Sequence, residues 1–565
     1  MKTYIVLLSS IVILNSGVNS PGCQNTGEKN NVENKTVNTG YSNTETTDGA
    51  TLQANGKTVT PEMFGAIGDG SMHKLSEKYK SIDLARQVYP GITDLDITID
   101  GAAFQKAVDM ASLDGGEVLA EKKYLTNSPI IMKDNVIVDG NNKGIVTNDR
   151  SRGKMLAWAF LFGDLSPYGF NKEENNGAGF NFYDVNGSMI IGQDYLTLSN
   201  SSDISSFKVN QVVMLVSAFK RKQNISKVIL PYHVTINKIV SIKDSRMYFE
   251  YPFDEKVDSV QICANGNLDN HTGINFGPVQ NAVLRNMTID ANQISGSQYA
   301  YKCHIDNIKL IGGVRLVGMN AMAHSSFTNI TGTFAWRCME IKTGSHDLII
   351  RNIHATYKPI EGYPQAIDAI SIGQYNRNVT VDSFDIDFGT STPKIATINF
   401  RSRKAIISNG TITCKNQTMP FARFHNEHYI SDPLFGCYAN KLLNVKFYGG
   451  SDMKSVFEMG DGAGINKDKP KNNWSTQKKM ANKKNSNNDD GDDMDAGFDA
   501  PQTADVPPQA NIVENCLFSG GSVNALAKLQ AGINNIIQNC TFTNAHLKAS
   551  PTFISANKMM NNKFR

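Results

Sequence analysis

The sequence predicts an all-β protein that folds as a right-handed parallel β-helix, with an N-terminal capping helix and a small antiparallel β insertion. Three observations predict this class: a strand motif that recurs along the chain, coils of unequal length, and an amphipathic segment that precedes them. Leucine-rich repeats would need a regular leucine spacing, and propeller blades would need four strands in each repeat of about 40 residues. The sequence has neither pattern.

The recurring motif is a short apolar strand, then usually asparagine, then two apolar positions separated by one residue. Its key residues are Asn286, Asn329, Asn352, Ser383, Asn409, Asn444, Asn515 and Asn539. Most neighbours are 23 to 35 residues apart, which suits one coil, while the gap of 43 suits two short coils and that of 71 suits one coil plus an insertion. Asparagine tolerates the left-handed backbone of a tight corner and can bond its counterpart on the next coil.

Two segments interrupt the predicted β-helix domain of residues 59–565. Residues 186–263 alternate apolar and polar positions between turn residues, which predicts the antiparallel β insertion. Residues 451–509 are rich in lysine and asparagine and then in aspartate, which predicts a solvated flexible loop. Calcium is the one cofactor that these aspartates suggest, but no glycine-centred loop with a closing glutamate follows. The cofactor is therefore left open.

The N-terminus predicts export. Residues 1–22 have the pattern of a signal peptide, since Lys2 precedes an apolar run that is too short to span a bilayer. Cys23 follows a glycine, as in bacterial lipoproteins, although Ser20 stands where those proteins usually carry leucine. Lipidation at Cys23 and plain cleavage nearby both stay open, so we expect either a cell-envelope lipoprotein at the outer surface or a secreted protein. Residues 23–58 are almost wholly polar and predict a disordered linker.

The net charge gives no reason to expect some classes of partner, and the cysteine count does not predict a disulfide framework. A formal net charge of +3 over 565 residues gives no reason to expect nucleic acid, and membrane contact is expected only through the lipid anchor. The eight cysteines do not predict a disulfide framework, because seven would remain if Cys23 carries lipid. Cys516 and Cys540 occupy the same repeat position, and we expect them to be stacked core thiols.

A capping helix is predicted near residue 100. Phe104, Ala107, Val108 and Ala111 fall on one helical stripe, and Asp100 stands in place as its N-cap. Such a stripe would cover the first coil, whose strand edges and apolar stack would otherwise be exposed.

The residues around this helix resemble a known superfamily. The segment Phe64–Gly70 reads Phe-Gly-Ala-Ile-Gly-Asp-Gly and resembles the opening of the pectate-lyase-like superfamily, while Asp100–Val108 resembles its capping helix. This chain departs from the pattern by inserting residues 71–98. The resemblance covers about residues 60–145 and implies a β-helix fold. It does not name an activity, because the superfamily includes lyases, glycoside hydrolases, epimerases, transferases and phage tailspikes.

Two central segments, Cys338–Ser345 and Ala369–Gly373, resemble strands of the polygalacturonase family. That family has an aspartate pair where this chain has Trp336 and Arg337, and a histidine where it has Asp368. The family's catalytic residues are thus missing, and its hydrolytic mechanism is not expected here.

Strand alternation nevertheless predicts a site. If Met339 and its counterpart on the next coil point inward, Glu340 points outward, and Arg337 and Asp368 lie side by side at the strand starts. We expect Arg337, Glu340 and Asp368 to form a catalytic set on one solvent-facing groove wall. The predicted substrate-binding residues are Trp336, His346, Lys394 and Arg401.

The expected function is that of a polysaccharide-degrading enzyme. A lyase would use Arg or Lys to neutralise a uronate and to help remove a proton. A hydrolase would use Glu340 with Asp368, although the extrapolated separation of about 11 Å exceeds the usual windows. Two alternatives stay open: a non-catalytic glycan-binding or adhesive protein, and a purely structural salt bridge. His425, Glu427, His428 and Asp432 lack the fixed spacing of a zinc site, and no metal is expected.

Overall fold

A computed structural model describes residues 56–151, 158–163, 179–219, 230–258, 260–267, 278–297, 299–342, 344–361, 368–373, 376–389, 397–425, 437–460, 507–522, 525–529 and 532–565. Cys23, Lys394, the signal peptide, and all of the linker but its last three residues therefore lie outside the described residues, as does most of the predicted flexible loop. The described residues form a right-handed parallel β-helix that carries an antiparallel insertion. The predicted fold class is confirmed. No helix within the described residues is long and apolar enough to cross a membrane.

Two parallel sheets build the coils. Sheet 1 contains the strands Thr58–Val59, Glu117–Leu119, Lys123–Thr126, Ile137–Asp139, Ile145–Asn148, Val279–Gln280, Val283–Asp290, Ala300–Tyr301, His304–Ile311, Met322–Phe334, His346–Tyr357, Arg377–Asp387, Ile406–Cys414, Lys441–Leu443, Lys446–Gly449, Ile512–Glu514, Leu517–Ser519, Ile536–Gln538, Thr541–Thr543, Lys558–Met560 and Lys563–Phe564. Sheet 2 contains Ile130–Ile131, Trp158–Phe162, Gln293–Ser297, Arg315–Asn320, Arg337–Lys342, Asp368–Ile372, Thr397–Phe400, Ala422–Phe424, Ser455–Met459, Ala525–Leu529 and Ala545–Ala549.

The insertion is a separate antiparallel sheet. Its strands are Gly179–Asp184, Tyr195–Thr197, Val212–Phe219, Leu230–Lys243, Arg246–Phe249 and Val260–Asn267. The described helices, including short 3-10 turns, are Pro61–Phe64, Leu75–Glu77, Ile82–Val88, Ile99–Ala111, Ser201–Ser206 and Pro551–Ala556.

The predicted asparagine corner is present on successive coils. Asn329 and Asn352 have φ values of 56° and 57°, in the left-handed region, and the amide of Asn352 donates to the side-chain oxygen of Asn329 at 3.0 Å. Asn307 has the same conformation and donates to Asn286, so the gap of 43 residues is two coils. Asn515 donates directly to Asn444, so the gap of 71 is one coil with an insertion. Each coil thus repeats one corner geometry.

Replacing Asn352 by alanine should lower the free energy of unfolding by about 1–2 kcal/mol, because alanine pays for the left-handed backbone and also loses the ladder bond. Asn352→Gly is the matched control, since glycine adopts this backbone without strain and loses only the side-chain bond. Denaturant unfolding of both variants measures the difference. Equal losses would show that the backbone conformation at the corner is not what selects asparagine.

The capping helix Ile99–Ala111 covers the first coil, as predicted, but its N-cap is Thr98, whose hydroxyl accepts from the Gly101 N–H at 3.1 Å. Asp100 was predicted as the N-cap, and that prediction is wrong. Its buried carboxylate accepts instead from the backbone N–H groups of Ile67 and Gly68 at 2.7 and 3.1 Å. Burial raises the pKa of Asp100, although these hydrogen bonds act to lower it. Asp100 therefore ties the opening motif to the helix.

One boundary of the predicted flexible loop also needs correction. The loop was placed at residues 451–509, but Ser455–Met459 is a strand of sheet 2 that pairs with the strand Ala422–Phe424. Val456, Phe457 and Met459 are buried in the core, which is the physical reason that the coil continues here. Residues 461–506 lie outside the described part of the chain.

Candidate functional site

The outer face of sheet 2 carries the predicted catalytic set. Arg337 pairs in register with Asp368 on the next coil, as the sequence predicts, and with Arg315 on the preceding coil. Glu340 stands on a second line of outward positions that runs through Ser371 and on to later coils. The three predicted residues are therefore brought together by adjacent parallel strands.

Glu340 does not face solvent, however, and that prediction is wrong. Its side chain is 4% exposed. One carboxylate oxygen lies 2.7 Å from Arg315 Nε, and the other contacts Arg337 and lies 2.9 Å from Lys342 Nζ. The long cationic side chains of this coil and its neighbour fold over the shorter glutamate. Three cations thus surround this one buried carboxylate.

Asp368 is also buried and belongs to the same network. Its carboxylate lies 3.6 Å from Arg337 Nε and accepts a short hydrogen bond from the side-chain amide of Asn399. Arg337 thus contacts both carboxylates, which brings Glu340 and Asp368 closer together than the 11 Å extrapolated from backbone spacing. That extrapolation left out the reach of side chains that converge on one guanidinium.

Trp336 lies against two of these cations. The guanidinium carbons of Arg315 and Arg337 lie 4.3 and 4.4 Å from its ring centroid. Such cation–π contacts stabilise the guanidinium groups and hold the indole in place. Trp336 is partly exposed, so it presents an aromatic edge beside the buried charges.

Arg401 is the other predicted binding residue that the structure places on this face. Its guanidinium donates to the Ser371 hydroxyl at 3.2 Å, one coil away, and the residue is partly exposed. Lys394, which was predicted to lie beside it, falls outside the described residues.

The same face carries further charges that were not among the predicted site residues. Glu458 lies 3.3 Å from Arg423 Nε and 3.2 Å from Lys528 Nζ, and all three continue the line of Glu340 along successive coils. The sequence contains a signal for all three residues, because each follows an inward-facing apolar residue at the position that corresponds to Glu340. These three residues lie on coils beyond the two segments that resemble polygalacturonase strands.

Cations outnumber carboxylates on this face. Among the described residues it carries seven cations, Arg315, Arg337, Lys342, Arg401, Arg423, Lys528 and Lys548, and three carboxylates, Glu340, Asp368 and Glu458. Adjacent parallel strands stand about 4.8 Å apart, so this cationic row extends along the axis of the solenoid. We call it the cationic face.

His346 does not border an open groove, which corrects the prediction made for it. It is 1% exposed and lies at the corner between the two sheets, under the insertion. Its Nε2 accepts from the Ile236 N–H at 2.8 Å, while its Nδ1 lies 2.6 Å from an Asp347 carboxylate oxygen. The insertion covers this corner, and the sequence carried no signal for where the insertion docks.

His324, His346 and Asp347 have ligand atoms within 4.8 Å of one another, which is close enough to suggest a metal site. Both ring nitrogens of His346 are engaged, however, because Nε2 accepts from backbone and Nδ1 donates to Asp347. The ring of His324 is stacked on Tyr251 of the insertion, with ring centroids 3.9 Å apart. This group therefore serves docking rather than metal binding.

Buried ion pairs complete the docking of the insertion. Arg377 donates to both oxygens of Asp254 and to the Val234 carbonyl, and Arg403 donates to both oxygens of Glu255 at 2.7 Å. Although burial acts to raise them, these guanidinium groups hold the pKa values of Asp254 and Glu255 below their ordinary values. The corner thus joins cations of the solenoid to carboxylates of the insertion.

Folding stability should fall as the pH falls from about 6.5 to about 4. Burial lowers the pKa of both His233 and His324 to about 4, so the unfolded chain binds more protons than the folded protein in this window. We expect a loss of roughly 2–3 kcal/mol from each of the two histidines, measured by denaturant unfolding at each pH. In the double variant His233→Gln/His324→Gln, the free energy of unfolding should depend less on pH. An unchanged slope in that double variant would contradict the assignment.

Comparisons with known proteins find distant likenesses among solved structures. No family model and no curated protein matches the chain. Among solved structures, the Pseudomonas phage phi297 tailspike gp61 is 13% identical, with 88% of this chain and 76% of that chain covered, at a TM-score of 0.48. PfbA, a surface adhesin of Streptococcus pneumoniae, is 10% identical, with 90% of each chain covered, at 0.42. A family 28 exopolygalacturonase of Yersinia enterocolitica is 12% identical, with 90% and 77% covered, at 0.39.

These likenesses concern architecture alone. At such identities and scores they carry no argument about activity, and the fold stands on the strand ladders of the chain itself. The right-handed parallel β-helix is the architecture of the pectate-lyase-like superfamily. The resemblance carried by the segment Phe64–Gly70 is therefore confirmed at the level of fold.

Proposed function

We propose that this protein acts on an anionic polysaccharide that lies along the cationic face. The observation that carries the proposal is the excess of seven cations over three carboxylates on successive coils of one sheet. Guanidinium groups match the geometry of carboxylates, and ammonium groups add positive charge. A polymer of uronic acids offers carboxylates at regular intervals, so it suits a regular row of cations.

Within this proposal, we assign the protein to the polysaccharide-degrading enzymes and favour a lyase over a hydrolase. A hydrolase needs one carboxylic acid that is protonated and able to donate. Each carboxylate of the cationic face already contacts at least one cation, and Glu340 and Asp368 are buried, so neither of these two is placed to donate a proton to a glycosidic oxygen. A lyase instead needs cations that neutralise a uronate, and Lys342 and Arg401 are partly exposed cations near the centre of the face.

Arg337, Glu340 and Asp368 then hold the face together rather than meet the substrate. If Glu340 and Asp368 were positioned acids or bases, Glu340→Gln and Asp368→Asn would each cut turnover at least about 100-fold, with little change in stability. Because both carboxylates are buried in ion pairs, we now expect these variants to lower stability as well. Their activity has to be compared with their folded fraction.

Incubating the purified protein with polyuronates and with neutral polysaccharides tests the proposal. New absorbance from unsaturated uronides, with polyuronates only, is the expected result. Reducing ends without that absorbance would replace the lyase by a hydrolase. Binding of polyuronate without any product would favour the non-catalytic alternative, which the burial of the predicted catalytic set also supports. If no glycan is either bound or cleaved, the proposal fails.

Arg401→Ala should weaken binding of polyuronate oligosaccharides about tenfold, since a charged hydrogen bond to a carboxylate is worth about 1.5–3 kcal/mol and solvent exposure reduces it. Lys309→Ala is the matched control, because Lys309 is exposed on the outer face of sheet 1. Titration calorimetry at low and at high salt measures both, and the wild-type affinity should fall with salt. Equal losses in the two variants would place the polymer elsewhere.

We also propose that the protein is exported and stays at the cell envelope through Cys23 or is secreted after cleavage nearby. The basis is the pattern of residues 1–22 and the polar residues 23–58 that follow. Fractionation of cells that express the wild type or Cys23→Ala distinguishes the two forms. Envelope association that is lost in the variant indicates lipidation, and a protein retained in the cytoplasm would contradict export.

A further inference from the structure

Cys516 and Cys540 stand at one position on adjacent coils. Each follows an asparagine of the corner ladder, and the Thr541 N–H donates to the Cys516 carbonyl at 2.9 Å. Neighbouring parallel strands are about 4.8 Å apart, which lies within the range of about 4.4–6.8 Å between the Cα atoms of disulfide-bonded cysteines. The general spacing of adjacent coils is therefore compatible with the Cα separation of a disulfide.

The two thiols have matching surroundings. The sulfur of Cys516 lies 3.5 Å from the Leu442 carbonyl oxygen, and that of Cys540 lies 3.7 Å from the Val513 carbonyl oxygen, in each case on the preceding coil. Both sulfurs also contact the carbonyl oxygen two residues earlier in their own coil. The side chains thus share one orientation on neighbouring coils.

Aromatic stacking fixes this register. The rings of Phe518 and Phe542, two residues beyond each cysteine, stack with centroids 4.8 Å apart and planes inclined by 4°. A shift of one coil against the other would break this stack. No other two cysteines among the described side chains share a repeat position on adjacent coils. The remaining four are Cys303, Cys338, Cys414 and Cys437.

We propose that Cys516 and Cys540 are a site of oxidative modification, at which a small-molecule disulfide such as oxidised glutathione converts them into a disulfide that joins two coils. In an exported protein this bond would meet an oxidising environment, in which disulfides persist. The proposal does not depend on polysaccharide binding. It assigns to these residues a role beyond the core packing that the sequence predicts.

The exchange begins at Cys540. A hydrogen bond from Cys516 lowers the pKa of the Cys540 thiol, whereas burial raises the pKa of Cys516. The Cys540 thiolate attacks one sulfur of the small disulfide, whose S–S bond breaks and releases one thiol. Cys516 then loses its proton and attacks the Cys540 sulfur of the mixed disulfide, which releases the second thiol. Two electrons pass from the cysteine pair to the small disulfide.

Both thiols are at most 2% exposed, so exchange requires the last coils to open locally or the bond to form during folding. The test therefore incubates the full-length protein with reduced or oxidised glutathione in denaturant just below the unfolding transition. The denaturant is then removed. The protein is next fully unfolded and alkylated, and its intact mass is measured. The reduced chain has eight cysteines to alkylate, and we expect two fewer after oxidation. Trypsin cuts after Lys528, so one cross-linked species should join the two peptides.

Cys540→Ser should abolish the loss of two alkylation sites, and Cys303→Ser should leave it unchanged. Cys516→Val is the second variant and should likewise abolish the loss of two alkylation sites. Val445 occupies the equivalent position one coil earlier, so the protein should fold with valine at position 516. Wild-type protein that stays fully alkylated after oxidation would overturn the proposal. A cross-linked peptide that involves any other cysteine would overturn it as well.

Discussion

Arg337→Ala should lower the free energy of unfolding by about 3–5 kcal/mol, the usual cost of removing one partner from a buried ion pair. The Asp368 carboxylate, 6% exposed, would lose the guanidinium whose Nε lies 3.6 Å away. The Trp336 ring would lose one of the two guanidinium groups that stack on it. Equilibrium denaturation measures the loss.

Lys342→Ala is the control for this prediction. Lys342 contacts the same Glu340 carboxylate, but its side chain is 26% exposed, so we expect a loss below about 1 kcal/mol. If Arg337→Ala is as stable as the control and yet inactive, then Arg337 contacts the substrate, and the stabilising role assigned to it is wrong.

Arg377→Ala should also cost about 3–5 kcal/mol and should release the insertion before the solenoid unfolds. Arg377 is 1% exposed and donates to Asp254, to the Val234 carbonyl and to the Thr235 hydroxyl. Its loss leaves buried acceptors without that donor and weakens the docking of the whole insertion. Hydrogen exchange should rise in the strand Leu230–Lys243 and stay unchanged in the strand Ile512–Glu514.

The control for the docking prediction is Lys302→Ala. Lys302 lies 2.6 Å from Glu250 at the edge of the same interface, with both side chains about 30% exposed. We expect a loss below about 1 kcal/mol and no local change in exchange. Faster exchange throughout the chain in Arg377→Ala would mean that the insertion and the solenoid unfold as one unit.

The fold could be predicted because its signal is local and repeated. An asparagine in a left-handed corner, followed by alternating apolar residues, fixes which side chains enter the core on each coil. The same alternation predicted that Arg337 and Asp368 are neighbours, which the strand register confirms. The N-cap was misplaced because Thr98 and Asp100 are both capping residues, and only the contact with Ile67 distinguishes them.

The burial of the site could not be predicted in the same way. Glu340 is covered by Arg315, whose coil carries no recognised motif, and the reach of an arginine side chain is not visible in strand alternation. His346 is covered because the insertion docks over it, and that contact joins residues 110 positions apart in the chain. Both errors arise from tertiary contacts between elements that the sequence predicted separately.

The ladder of corner asparagines makes a single coil the natural unit of evolutionary length change. A deletion that removes residues 384–409 would join Ser383 to Gly410, which are consecutive positions of the same corner pattern. Every later strand would then meet its new neighbour with the same side chains turned inward, because the alternation is kept. Duplications of whole coils obey the same rule. The length of the cationic face can therefore change by single coils, each about 4.8 Å, while the core packing of the rest is preserved.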